Sequence, residues 1–335
     1  MNLVLSISIL LLVTFLLSLL SLGFGQNSLS PRDVTEILFP VSPVESGNTL
    51  EVRKIIFFQI RLPRLILAII VGGSLSVAGV ILQLLLRNVL AEPYILGISG
   101  GASVGALIAI ATGMAYMFTG AISLFSFVGA ALVVSILFIL SRKSGKYDGR
   151  GLLLSGIMIG AFLSAIILML VSFIGEPIRH ALFWILGSLN AQRSLDLVII
   201  IPVSLFSIAV VMRNAKNYNA LAMGDEIAFH LGVRIRELKL LSYLTISLLT
   251  GVVVSITGSI GFIGLLMPHI ARKVFGTDHR ILIPAAYLIG GCFLLVSDFI
   301  SKNLLYPTEI PVGVITAIIG APVFLAIMRF TPDPE

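Results

Sequence analysis

Residues 219–239 read NALAMGDEIAFHLGVRIRELK, and the rest of the chain is organised around this stretch. It is a long interruption in an otherwise apolar sequence, and it combines helix signals with closely spaced charge. Gly224 precedes Asp225 and Glu226, acids suited to the positive end of a helix, and Gly232 supplies a stop. The spacing predicts a helix over 225–231, only ~10 Å long at 1.5 Å per residue, far too short to cross a bilayer. Met223, Ile227 and Leu231 recur every fourth residue and give that helix one apolar stripe. A short amphipathic helix between membrane spans is either a connector or a surface that another protein grips.

Working outward, hydrophobic residues make up 58% of the 335 and charged residues 11%, with a mean hydropathy of +1.10. A soluble domain carries about 25% charged residues, so this composition cannot cover a water-facing surface. Apolar runs of about 20 residues recur along the chain, and the fold class is an all-α polytopic membrane protein. The period-2 alternation of a membrane β-barrel is absent. No polar stretch is long enough to fold alone, so residues 1–335 read as one transmembrane domain. The single cysteine, Cys292, excludes an internal disulfide framework and a cysteine-based metal site. The net charge of +6 comes from residues between spans and reads as a topology signal, not as a nucleic-acid surface.

The first span covers 3–22, without the basic start or small-residue exit of a cleaved leader, and reads as a retained helix. A polar outer loop over 26–59 follows, then further spans near 61–86, 95–111, 118–140, 152–173, 195–212 and 240–256. Residues 176–189 form a short amphipathic interfacial piece. Gly258, Gly261 and Gly264 crowd into GSIGFIGLLMPH, and the adjoining apolar run is too short for a standard span. Irregular backbone at membrane depth is tolerated only where protein or a water-filled cavity buries it, so a broken or re-entrant element is expected here. Spans near 281–300 and 312–328 complete about ten membrane elements.

With a cytoplasmic N-terminus, 14 of the 22 basic residues fall on inner loops and 8 on outer ones, which fixes the orientation and places 214–239 inside the cell. Glu92-Pro93 before Gly97-Ile98-Ser99-Gly100-Gly101 echoes Glu309-Ile310-Pro311 before Gly313-Val314-Ile315-Thr316. The two segments face opposite sides, as in the inverted repeats of transporters.

Gly97-Ile98-Ser99-Gly100-Gly101 matches G-x-S-x-G, but a hydrolase elbow needs a strand–turn–helix setting. At the start of a membrane helix, small residues serve close packing. No two of the four histidines share metal-ligand spacing, so no metal and no cofactor are expected. The chain has no G-x-x-x-x-G-K-[ST], so nucleotide energy must come from a partner. Asp298 is the most membrane-embedded acid, and its plain reading is a pair with Lys302 one helical turn away. Arg61 and Arg64 can simply be interfacial anchors.

Six ordered blocks carry a more specific signal: RLPRLILAIIVGGSLSVAGVILQLLLRN, LAEPYILGISGGASVGA, LFWILGSL, ALAMGDEIAFHLGV, GSIGFIGLLMPHIARKVFGTDHRILIPA and EIPVGVITAIIGAPVF. Together they resemble the permease subunits of binding-protein-dependent ABC importers for iron–siderophore complexes, haem and vitamin B12. The resemblance implies a ten-helix subunit with an inverted repeat that works as a homodimer in the inner (cytoplasmic) membrane. Two separate ATPase subunits dock inside and a periplasmic or lipid-anchored binding protein docks outside. The subunit itself is then not an enzyme.

By the same resemblance Met223, Gly224, Asp225, Glu226, Ile227, Ala228, Leu231 and Gly232 couple to the ATPase. Arg61, Arg64 and Lys302 dock the binding protein. Asn88, Leu90, Gly149 and Arg150 form the cytoplasmic gate, and Gly258, Gly261 and Gly264 line the translocation path. Two positions depart from the family pattern: Val89 replaces the usual proline of the R-N-P-L corner, and Gly149-Arg150 replaces small hydroxyl residues. Import of an oxyanion such as molybdate by the same architecture, and ion-coupled secondary transport, are the competing readings.

Overall fold

The computed structural model describes residues 3–23, 48–118, 120–143, 149–174, 178–189, 194–305 and 308–330, and no strand occurs among them. In chain order the helices are α1 (Leu3–Gly23), α2 (Asn48–Ile55), α3 (Leu62–Leu86), α4 (Ile98–Ala111), α5 (Met114–Met117), α6 (Ala121–Lys143), α7 (Gly149–Phe173) and α8 (Ile178–Ile185). They continue as α9 (Ser194–Arg213), α10 (Ala215–Ala222), α11 (Asp225–His230), α12 (Ile235–Thr257), α13 (Ile263–Phe275), α14 (His279–Asn303) and α15 (Val312–Phe330). Among the described residues six helices are long and apolar enough to cross a membrane, and Ile7–Leu22, Ile98–Ala111 and Val312–Ile327 are shorter apolar helices. With the half-length α13 they make about ten membrane elements.

The second span begins earlier than the sequence predicts. Residues 48–59 of the expected outer loop are helical, and α2 runs through a π-helical turn at Ile56–Arg61 directly into α3. No proline or glycine interrupts the chain between Gly47 and Pro63. Pro63 has no N–H to give to the preceding turn, and a π turn just before it is one way to absorb that mismatch. Residues 26–47 of that loop lie outside the described residues, as do Arg32, Lys146 and Arg193.

Helix α3 is the axis of the subunit: 83% of its apolar window is buried, against 11% for α7 and 22% for α6. Lipid offers no hydrophobic drive between helices, so close backbone approach has to supply the contact. The sequence provides it as glycine. A Cβ on Gly72 of α3 would overlap the Gly290 carbonyl of α14, and one on Gly79 would overlap the Gly264 carbonyl of α13. Gly101 of α4 lies against α6, where a Cβ would sit 2.5 Å from the Gly129 carbonyl. The G-x-S-x-G segment therefore works as a packing surface. Buried serines complete the contacts: the Ser74 and Ser204 hydroxyls share a hydrogen bond of 2.8 Å between α3 and α9.

Candidate functional site

Two polar clusters sit at opposite ends of α3, a helix of 25 residues and thus ~37 Å long. The first surrounds the 219–239 stretch. Helix α10 is anchored by Tyr218, which is fully buried and shares a 2.8 Å hydrogen bond with Ser242 of α12. Burial pushes the Tyr218 phenol up to about 12, and the Ser242 contact draws it partly back. The next residue ties the same turn to α14: the Asn219 amide donates to Asp278 at 2.7 Å, and the His279 N–H donates to Asn219 at 2.8 Å. The Arg280 side chain, together with Asn219, holds the Asp278 carboxyl well below the usual range.

On this fixed base α11 protrudes as the predicted short helix. Gly224 (φ +121°) and Gly232 (φ +81°) bracket it in conformations that L side chains rarely adopt. Ala228 is fully buried, facing the subunit. Met223, Ile227 and Leu231 are 64%, 44% and 64% exposed, so the stripe does not pack on the chain's own inner face. Phe229, not singled out from the sequence, is 70% exposed beside them.

Asp225 faces the other way. One carboxylate oxygen accepts from Arg87 at 2.8 Å and the other from Lys239 of α12 at 2.9 Å. Arg87 is the left-handed C-cap of α3 (φ +48°) and immediately precedes Asn88 and Leu90. The structure thus joins two groups that the sequence leaves separate. Asn88 sets its own turn, with its side-chain oxygen accepting from the Leu90 N–H at 2.9 Å. That bond gives the corner a lock where Val89 stands in place of proline. Gly149 and Arg150 open α7, but the gate contact expected of them lies outside the described residues.

The predicted break is present between α12 and α13. Gly258 ends α12 at φ +69°, and a Cβ there would overlap the Trp184 carbonyl. Phe262 caps α13 at φ +69°, a non-glycine left-handed residue that costs ~1–2 kcal/mol. A Cβ on Gly264 would meet Pro93 Cδ at 2.6 Å and the Leu75 carbonyl at 3.1 Å, whereas one on Gly261 meets nothing within 4 Å. Gln83 of α3 donates to the carbonyls of Gly264 and Leu265 at 3.3 and 3.2 Å, and Arg272 in turn donates to Gln83. The three glycines therefore differ: two fit against neighbours and one faces open space.

The second cluster closes the other end of α3. The Nε of Arg64 donates to Asp298 at 2.9 Å, and an Nη group contacts Glu309 at 3.0 Å. Lys302 pairs with Asp298, as the one-turn spacing predicts. Asp298 is fully buried and Arg64 is 7% exposed. Arg61, half-buried at the start of α3, donates to the Leu22 carbonyl of α1. All three expected docking residues thus make contacts within the subunit, Arg64 and Lys302 in the acid cluster and Arg61 on α1. Glu309, in the second half of the internal echo, lies at the opposite end of α3 from Glu92.

The FecCD transport family matches residues 10–330. The chain belongs to that family. Among curated relatives of this FecCD chain, the Fe(3+)-citrate import system permease YfmE of Bacillus subtilis is 36% identical over 97% of the chain and 95% of its own length. The hemin transport system permease HmuU of Yersinia pestis is 37% identical over 96% and 94%. The cobalamin import system permease BtuC of Halobacterium salinarum is 39% identical over 86% and 77%. A solved chain described as an inward-facing, metal-chelate type ABC transporter superposes with a TM-score of 0.84 at 28% identity, covering 97% of this chain and 99% of that one. The FecCD chain is accordingly a multi-pass membrane permease, and the three relatives above are named as permease proteins of import or transport systems.

Proposed function

We propose that this FecCD subunit is the transmembrane part of an ATP-driven, binding-protein-dependent importer of a metal chelate. The chelate passes along the interface between two copies, which alternate between outward- and inward-open states. The observation that carries this reading is the exposed surface of Met223, Ile227, Phe229 and Leu231 on an anchored helix. It is the shape expected of a helix laid in a groove of a partner protein. The chain has no P-loop, so that partner is a separate ATPase, one per permease copy, on the cytoplasmic side.

Asp225 gives the docked helix a route to the gate, because it holds the Arg87 corner that leads into Asn88 and Leu90. Glu226, Ala228 and the bracketing glycines complete the coupling element. At the outer end Arg61 meets the binding protein, with Arg64 and Lys302 behind it in the Asp298–Glu309 network. Gly261 contributes to the open wall of the path, while Gly258 and Gly264 fix its shape. The N- and C-termini lie in the cytoplasm.

The relatives' names make Fe(3+)-citrate, hemin and cobalamin the first chelates to test, alongside iron–siderophore complexes. The buried acid Asp298 is matched by two cations, which makes it a poor coupling site for an ion-driven carrier. The test is uptake into proteoliposomes holding the permease and its ATPase, with the binding protein outside. Uptake should require ATP and the binding protein together. Uptake driven by an ion gradient without ATP would reject the reading.

A further inference from the structure

The grip of Gln83 on the α12–α13 break is used by none of the roles above, and the sequence of α13 explains why it forms. Pro268 lies inside α13 and has no N–H to give to the carbonyl one turn back, that of Gly264. At membrane depth no water relieves such a carbonyl, so its donor has to come from another element. Gln83 of α3 supplies it: the buried side-chain amide donates to Gly264 at 3.3 Å and to Leu265 at 3.2 Å. Gly79, one turn earlier on the same face of α3, leaves the space that the Gly264 carbonyl fills. Arg272, which can only donate, binds the Gln83 amide oxygen and so fixes which way the amide points.

The backbone of the same residue closes the corner at the end of α3. The Gln83 carbonyl accepts from the Asn88 N–H at 3.2 Å and also from the Arg87 N–H. The Arg87 side chain reaches Asp225 of α11 at 2.8 Å. A continuous set of bonds therefore runs from α11 through the corner to the first turn of α13, and Gln83 makes both inner connections. The segment it reaches is strained, because Phe262 is held left-handed at the start of α13.

We infer that Gln83 is a positioning residue that carries movement of the docked helix α11 to the break in the path wall. The inference rests on the transport reading above. Coupling of this kind runs through bonded elements that have two arrangements, so the break should change when the ATPase changes state. Gln83→Glu cuts the link at one point. It keeps the oxygen that Arg272 binds, and beside that cation it stays ionised, but it has no N–H for the two carbonyls.

The test is amide hydrogen exchange of the permease–ATPase complex, nucleotide-free and trapped with ATP and vanadate. In the wild type, trapping should shift exchange several-fold both at 225–231 and at 259–267. Gln83→Glu should keep the shift at 225–231 and lose it at 259–267, and Fe(3+)-citrate, hemin or cobalamin taken up per ATP should fall several-fold. A wild-type shift at 259–267 in Gln83→Glu, or no shift there in the wild type, overturns the inference. If Gln83→Glu does not assemble, Arg87→Gln decides, because its side chain is 63% exposed and it cuts the same link nearer α11. Retention of the 259–267 shift in Arg87→Gln overturns the inference as well. The exchange shift is read without any chelate, whereas absence of ATP-dependent uptake in the wild type would reject the transport reading, so the two failures are distinguishable.

Discussion

Replacing Asp298 by asparagine is the sharpest perturbation of the architecture. Two cations converge on a carboxylate whose side chain is 1% exposed: Arg64, itself 8% exposed, and Lys302, 21% exposed. Asparagine keeps the shape and removes the charge, so both cations lose their shared partner, and Arg64 keeps its contact with Glu309. Stranding a buried ion in this way costs about 3–5 kcal/mol. Asp225 supplies the internal control, because it also binds two cations but is 47% exposed, with Arg87 63% exposed. The Arg87 pair is exposed on both sides and contributes about 0–1 kcal/mol. The Lys239 pair, with Lys239 17% exposed, contributes more, but the carboxylate stays open to solvent, so Asp225→Asn costs less than Asp298→Asn. Thermal unfolding in one detergent, followed by helical signal, should rank Asp298→Asn well below Asp225→Asn and the wild type. Adding Lys302→Met to Asp298→Asn should recover part of the loss, since one stranded cation is gone. Equal losses for Asp298→Asn and Asp225→Asn would show that the outer cluster is hydrated and would refute this reasoning.

The inner cluster predicts coupling rather than stability. Arg87→Gln and Asp225→Asn should each lower chelate transported per ATP, and the double variant should be no worse than Asp225→Asn alone, because that variant has already lost the Arg87 bond along with the Lys239 one; additive losses would separate the two residues. Gly264→Ala should destabilise the subunit by about 1–3 kcal/mol through overlap with Pro93, while Gly261→Ala should be neutral in the same melt. Arg61→Glu should weaken capture of the binding protein and make it more salt-sensitive in a pull-down, as expected of a steering charge. Unchanged capture would remove Arg61 from the docking surface.

Much of this was legible in the sequence because a membrane imposes few structural options. Apolar run length located the long spans, and the glycine crowding at 258–264 exposed the break, since such backbone is tolerated at membrane depth only inside protein or along a cavity. The Asp298–Lys302 pair followed from one-turn spacing. What local pattern could not show was convergence across the chain. Arg64 reaches Asp298 over 234 residues, and Arg87 reaches Asp225 over 138. Nothing in spacing reveals either contact. The same limit applied to Arg64, which looked like an outward cation and is in fact buried against two acids. The apolar stripe at 223, 227 and 231 was evident, but whether it faced the subunit or solvent depended on how Tyr218 and Asn219 orient α10. Phe229 lay off that four-residue spacing and joined the surface only in three dimensions.

Purification of the membrane complex carrying Met223→Glu and Phe229→Glu tests the ATPase-docking surface with least intervening inference. Both side chains are exposed, so the permease itself should reach the membrane at wild-type yield and melt at the wild-type temperature. The ATPase subunits should be lost from the purified complex, and ATP-dependent uptake should disappear with them. Retention of the ATPase at wild-type stoichiometry, or uptake that persists without it, would contradict the assignment of residues 223–232 as the point where energy enters the permease.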